Sequence, residues 1–183
     1  MEGGWLISYV ALWLLLIAAV LTLLVHSRLL GILHQRLGPS TAKALSDGPE
    51  VGEVLRSLEG KDLDGADWSL VFPSDRPVLA VFISPQCDAC GILMPHVKDY
   101  WRSRGKNGLL LFSTISHQAM NRAYIDYLAL GEIPYLFGGD LAHKLSIEGT
   151  PYAVAFDADG RVTAKGLVNH FEHLISLQAI AQE

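Results

Sequence analysis

The chain has 183 residues, half of them apolar, with 14 Lys and Arg against 19 Asp and Glu and a net charge of −5. That length admits one domain of ordinary size plus an appendage. A net negative chain without a lysine or arginine cluster presents no electrostatic footprint for nucleic acid.

The apolar residues are unevenly spread. From Trp5 to Val25 the chain reads WLISYVALWLLLIAAVLTLLV, a stretch without a charge. Roughly 20 such residues in a helix cross the hydrocarbon core of a bilayer, and Trp5 stands where an interfacial aromatic would. A cleaved signal peptide would show a basic start, a shorter apolar run and a small-x-small exit. This start carries Glu2, and HSRLLG offers no such exit. The expectation is a retained membrane anchor over residues 1–26. Leu29, Leu30, Leu33 and Leu37 recur at three and four residues, as in an amphipathic helix near a membrane surface. Gly38-Pro39 should end it, and the small, polar stretch GPSTAKALSDGPEVG reads as a linker. Residues 27–52 are thus expected to be a juxtamembrane helix and linker, and 53–183 a folded domain.

Within that domain, Trp68–Phe72 reads as a short strand. Pro77 opens a second, VLAVFI, whose lack of polar alternation suits a strand covered on both faces. Asp88 to about Arg102 is helical by pattern, Leu109–Ile115 is another apolar strand, and His117–Leu130 is a helix ended by Gly131. Pro134–Phe137 and Asp140–Leu145 suggest a short strand and a turn of helix. TPYAVAFDADGRVTAKG forms a hairpin around Asp159-Gly160. Asn169, with Glu172 three residues on, caps a last helix running to Gln182. The pattern describes an α/β sandwich around one sheet.

The chemistry concentrates in FISPQCDACGILMP, which holds both cysteines of the chain. Cys87 follows an apolar strand by a few residues and opens a helix, so its sulfur faces unpaired backbone N–H groups. The partial positive charge there favours a thiolate, the species that attacks disulfides. Cys90, one turn on, is placed to resolve a mixed disulfide. Pro95 lies inside the same helix, where proline ordinarily costs ~3 kcal/mol. Gly149-Thr150-Pro151 precedes a strand, where a cis X–Pro bond can hold backbone beside the thiols. Blander readings compete: inert cysteines, or half a zinc site. Zinc needs two further ligands, and His96, His117 and His143 show no ligand spacing to the CxxC. His96 reads as a solvated histidine, Pro151 has a trans alternative at a strand start, and Asp157 and Asp159 read as turn residues that bind no cation.

The linear order of strand, CxxC, helix, strand, helix, X-Pro, hairpin and helix resembles the thioredoxin-fold superfamily, especially its membrane-anchored TlpA/ResA-like branch. Over nearly the whole chain, LLGILHQRLGPS and ALSDGPEVGE joined to FISPQCDACGILMP resemble the MauD family of methylamine-utilisation accessory proteins. The resemblance implies a thioredoxin-like three-layer α/β/α domain behind a single N-terminal transmembrane helix. It further implies Cys87 and Cys90 as the redox pair, Pro151 as the cis-proline, and no cofactor beyond a redox-active disulfide. The implied client is the small subunit of methylamine dehydrogenase, which is dense in disulfides and carries a tryptophan tryptophylquinone. Other maturation proteins are implied as partners.

Three positions depart from that pattern. Asp88 stands where the family usually has proline, Gln86 where thioredoxins have tryptophan, and Val81 where they bury an aspartate as proton acceptor. No carboxylate can therefore be named for Cys90. The Asp88 charge opposes the helix end, so the Cys87 pKa is expected nearer the thioredoxin value of ~7 than the ~3.5 of DsbA. This makes the pair a weaker oxidant.

The function expected is disulfide formation or isomerisation on a protein client, with the Thr150-Pro151 backbone binding the client as an added strand. Two alternatives are a TlpA/ResA-like reductant in cytochrome c maturation and a non-catalytic escort or scaffold. Arg28, Arg36 and Lys43 follow the span, and charge bias alone would leave the domain in the cytoplasm. Client disulfides persist in oxidising compartments, so the expected site is the periplasmic face of the inner membrane.

Overall fold

The structure is a computed structural model that describes residues 3–36, 47–138 and 140–180. The chain divides into two compact units, 1–40 and 41–183.

The first unit contains α1 (Gly3–Arg36), one unbroken helix of 34 residues. It runs through both the apolar stretch and the leucine-spaced extension. Side chains are described along it chiefly from Tyr9 to Leu24 and are exposed throughout that stretch. Among the described residues no helix is long and apolar enough to cross a membrane. The expected helix stop at Gly38-Pro39 and most of the linker lie outside the described residues.

The second unit is built on seven strands: β1 (Ser57–Lys61), β2 (Asp67–Val71), β3 (Val78–Ile83), β4 (Leu109–Ser113), β5 (Tyr135–Phe137), β6 (Tyr152–Phe156) and β7 (Val162–Leu167). They form one sheet in the order β2-β1-β5-β4-β3-β6-β7. The central strands β3 and β4 run parallel with Leu79 opposite Leu109 and Ile83 opposite Ser113. Parallel strands need a crossover, and α2 (Asp88–Ser103) provides it. On the other side of β3, β6 runs antiparallel and turns into β7 through the Asp159-Gly160 hairpin.

Every residue of β3 and β4 is buried, because side chains alternate between two cores. Leu79, Val81 and Ile83 join one core with Leu109, Leu111, Ala153 and Ala155. That face is covered by α2, by α3 (Gln118–Leu128) through Ile125, and by α5 (Phe171–Ile180) through Leu174 and Leu177. Ala80, Phe82, Leu110, Phe112, Tyr152, Val154 and Phe156 point the other way. They meet the short helix α4 (Asp140–Lys144), together with Leu58 and Phe72. Helices thus lie on both sides of the sheet, in the three-layer α/β/α arrangement the sequence led one to expect.

Four boundaries differ from the sequence expectation. The strand expected at Trp68–Phe72 starts and ends one residue earlier and pairs with β1, a strand the sequence did not announce. β1 reads SLEGK and buries only Leu58, so it lacks an apolar signal. The strand expected to reach Ile115 ends at Ser113. α3 stops before Gly131, because Ala129 adopts the left-handed conformation (φ 49°) and its N–H turns back to the carbonyls of Ile125 and Asp126. α5 begins at Phe171, and the Asn169 backbone N–H donates to His173 Nδ1 at 3.2 Å. A histidine therefore fills the place in the capping box expected of Glu172. The expected continuation of that helix to Gln182 passes beyond the described residues.

The domain's N-terminal edge is fastened to β6 and β7. The Asp47 carbonyl accepts from the Tyr152 hydroxyl at 2.7 Å and from Lys165 Nζ at 2.9 Å, and the Gly48 N–H donates to the Ser146 carbonyl at 2.9 Å.

In the β6–β7 hairpin, Asp157 Oδ1 accepts from the N–H groups of Asp159 and Arg161 at 2.9 and 2.8 Å. Gly160 has φ 84° and is buried, and a Cβ there would collide with the Leu55 carbonyl oxygen and the Phe72 ring. Gly160→Ala should therefore destabilise the domain by about 2 kcal/mol or more, measured by urea unfolding. A change below about 0.5 kcal/mol would contradict this packing.

Candidate active site

Cys87 is the N-cap of α2, with φ −104° and ψ 110°, an extended backbone that turns its sulfur back over the first turn. The Cys90 N–H donates to Cys87 Sγ at 3.2 Å. In an ordinary cap a serine or aspartate oxygen accepts this bond. Here sulfur takes the place, and a negative sulfur takes it better. Cys87 is half-buried, whereas Cys90 is fully buried against the inner core. Both thiols are free.

Burial drives Cys90 into that core by the helix's own spacing. Cys90, Leu93, Met94, Val97, Tyr100 and Trp101 are its buried residues, recurring at three and four positions as one stripe of an amphipathic helix. Pro95 falls on the exposed side of α2 and leaves the Gly91 carbonyl without its helical donor. The proline is accommodated inside α2 without ending it.

The second wall of the site comes from a distant part of the chain. The Thr150–Pro151 peptide bond is cis, Pro151 is buried and Thr150 half-buried at the start of β6. The protonated Cys87 thiol donates to the Thr150 carbonyl at 3.4 Å. Once Cys87 ionises, this carbonyl loses that donor while lying against the reactive sulfur.

The two thiols are driven apart in acidity. Partial burial acts to raise the Cys87 pKa, but hydrogen bonds from the side chains of Cys90 and Thr150 and from the N–H groups of Cys90 and Ala89 outweigh it. The net effect holds Cys87 below the ordinary thiol value. Burial, followed by the neighbouring Cys87 sulfur, pushes Cys90 up to about 12. One sulfur is thus a reachable nucleophile, and the other keeps its proton until a disulfide forms beside it.

The histidines lie elsewhere. His117 caps α3, its Nδ1 accepting from the Met120 N–H at 3.3 Å. His143 is exposed on α4. His96 lies on α2 but faces His170 edge-on at 5.9 Å between ring centroids, and His170 in turn faces His173 at 5.7 Å. Among the described residues no three His, Cys, Asp or Glu side chains gather as a metal ion would require. A cleft lined by Glu59, Lys61, Trp68, Asp140 and Lys144 among others includes neither cysteine in its lining.

Sequence reasoning missed a polar group beneath Cys90. Val81 is buried where an aspartate was sought, and three residues from α3 and β5 supply the polarity in this core. Asn121 is fully buried; its Nδ2 donates to the carbonyls of Ile115 and His117 at 2.7 and 3.1 Å. Its Oδ1 accepts from the Tyr135 hydroxyl at 2.8 Å. Tyr124 packs against the same core as Cys87 and Cys90. Asn121, Tyr124 and Ile125 share one helix face by their three- and four-residue spacing. An asparagine on an apolar stripe was the available signal.

Iodoacetamide at pH 7 should label Cys87 alone, read by peptide mass mapping of the reduced chain. Its labelling rate should climb with pH to a midpoint below the ~8.5 of a free cysteine, since only the thiolate reacts. Equal labelling of both sulfurs would refute the division of acidity.

Comparison with known proteins finds relatives of the chain. The chain is similar to the methylamine utilization protein MauD of Methylorubrum extorquens, 33% identical over 172 residues, covering 93% of this chain and 83% of that one. MauD of Paracoccus versutus is 30% identical over 170 residues, 93% of this chain and 85% of that one. No family model matches the chain. Solved structures of similar fold include the thioredoxin domain of a thiol-disulfide oxidoreductase from Bacteroides vulgatus, with a TM-score of 0.61 and 19% identity over 70% of this chain and 95% of that one. A thiol:disulfide interchange protein from a Bacteroides species has a TM-score of 0.60 and 20% identity, covering 74% of this chain and 92% of that one.

Proposed function

The chain belongs to the MauD family of methylamine utilization proteins and is a thioredoxin-like oxidoreductase, and we propose that it exchanges disulfides with the small subunit of methylamine dehydrogenase during that enzyme's maturation. The carrying observation is the pairing of a capped, acidified Cys87 with a buried, proton-retaining Cys90. What supports this client is the relatives' designation as methylamine utilization proteins and the disulfide density expected of that subunit.

The steps are those of thiol–disulfide exchange. The Cys87 thiolate attacks one sulfur of a client disulfide, forming a mixed disulfide and expelling the other client sulfur as a thiolate. Cys90 then loses its proton and attacks Cys87 Sγ. The Cys87–client bond breaks, the second client sulfur leaves and takes up a proton, and the Cys87–Cys90 disulfide remains. Run backwards, the same steps insert a disulfide into a client dithiol. If a client thiol attacks the mixed disulfide before Cys90 does, the client's disulfides are reshuffled with no net redox change. The Thr150 carbonyl, vacated as Cys87 ionises, accepts a client backbone N–H and lays the client beside β6.

The same proposal puts the domain outside the inner membrane, in the periplasm, held by α1. What supports the tether is the uncharged run Trp5–Val25 within an unbroken helix, apolar side chains being exposed all round its described part. Such a helix finds no aqueous face. The periplasm is favoured by the chemistry, since a client's disulfides survive in an oxidising compartment.

Two experiments test these points. In cells growing on methylamine, Cys90→Ser should hold a mixed disulfide that non-reducing gels and mass spectrometry identify as the dehydrogenase small subunit. Recovery of a cytochrome c apoprotein instead would transfer the chain to the reductant role, and maturation that survives Cys87→Ser with Cys90→Ser would favour a non-catalytic escort. Separately, alkaline phosphatase fused at the C-terminus should be active. An inactive fusion beside an active cytoplasmic reporter fusion would reverse the orientation.

A further inference from the structure

The resolving step requires Cys90 to give up a proton in a core from which the thioredoxin-like carboxylate is missing, Val81 being buried in its place. Two phenols belong to the core that holds Cys90: Tyr135 on β5 within it and Tyr124 on α3 packed against it. They differ in one respect. Tyr135 already donates to Asn121 Oδ1 at 2.8 Å, and Asn121 is itself held by two backbone carbonyls. The Tyr124 hydroxyl is buried with no hydrogen-bond partner among the described residues.

A buried donor without an acceptor is costly, and such groups call for an explanation. Tyr124, like Cys87, packs against the core that contains Cys90. Beyond burial, the groups that act on its phenol are Cys90, Tyr135 and Cys87, and together they raise its pKa. A phenol in that setting stays protonated while a neighbouring thiol ionises, so it is a donor and never the base.

We propose that the Tyr124 hydroxyl donates a hydrogen bond to the Cys90 sulfur as that thiol ionises, stabilising the resolving thiolate. The proposal rests on the exchange reaction described above. In the resting reduced chain Cys90 is a neutral thiol and gives the phenol little to bind. During resolution the negative charge appears on Cys90, the S–S bond to Cys87 forms, and the client sulfur departs with the electron pair. The proton lost by Cys90 ends on the client thiolate or in solvent, and Tyr124 keeps its own. An interaction made only as charge develops lowers the barrier without tightening the resting state. The titratable groups that share the core with Cys90 are Cys87 from the start of α2, Tyr124 from α3 and Tyr135 from β5.

The test uses the full chain with glutathione disulfide-linked to Cys87. Release of glutathione by Cys90 is followed by acid quench and mass spectrometry between pH 6 and pH 9. Tyr124→Phe should slow release by about 10-fold to about 100-fold across that range, the usual worth of a hydrogen bond to a charged group. Iodoacetamide labelling of Cys87 in the reduced variant should change by less than about twofold, which separates donation from damage to the helix end. Tyr135→Phe, which removes a phenol already engaged, should slow release far less. Release within about twofold of wild type in Tyr124→Phe, or equal losses in both tyrosine variants, would overturn the assignment. Equal falls in release and in Cys87 labelling would overturn it too, because they report packing. A wild-type chain that forms the glutathione adduct but never resolves it would overturn the exchange reading itself, together with this inference.

Discussion

The hydrogen bond from the Cys90 N–H to Cys87 Sγ ties the architecture to the chemistry. A helix N-terminus leaves its first N–H groups without partners, and here a sulfur is used where an oxygen would normally serve. The demand is structural, since α2 must be capped to cross between β3 and β4. Meeting it with cysteine turns a folding requirement into a bias toward the thiolate. The same turn of helix carries Cys90 inward onto the core stripe, where burial works in the opposite sense. Two cysteines three residues apart thus acquire opposite tendencies from one piece of backbone.

The rest of the domain holds this turn in place. β3 delivers the chain to it from a sheet position buried on both faces, and β6 brings the Thr150 carbonyl against it from more than 60 residues away. Parallel pairing of β3 with β4 and antiparallel pairing of β3 with β6 fix the heights of these groups along one strand. The site is therefore set by the register of the central strands, while the pendant β1–β2 hairpin and α4 cover the opposite core.

Much of this was legible in the residues. VLAVFI and the run beginning Leu109-Leu110-Leu111 announce buried central strands because nothing polar interrupts them, and Asp159-Gly160 announces a tight turn. Cys87 and Cys90 were legible because their chemistry depends on local spacing. β1 was not, since SLEGK contributes one buried side chain and owes its strand form to pairing with β2. The end of α3 was misplaced because Ala129 takes a conformation usually left to glycine, and Gly131 was the more obvious stop. The polar group under Cys90 was hidden for a different reason. Asn121, Tyr124 and Tyr135 meet only when α3 packs on β5, and no spacing along the chain encodes that meeting. Val81 marks the absence of a carboxylate and carries no information about the polar groups that replace it.

The sulfur cap also has a thermodynamic side. As a thiolate, Cys87 lays a negative charge against the dipole of α2; as half of a disulfide, it has none to offer. Drawing two electrons from the pair therefore strips an anion from the start of the helix on which the inner core is packed. Heat resistance and oxidising power become two legs of one cycle, so whatever makes the electron-rich form of this domain harder to melt than its disulfide form makes that disulfide, by the same margin, more eager to accept electrons.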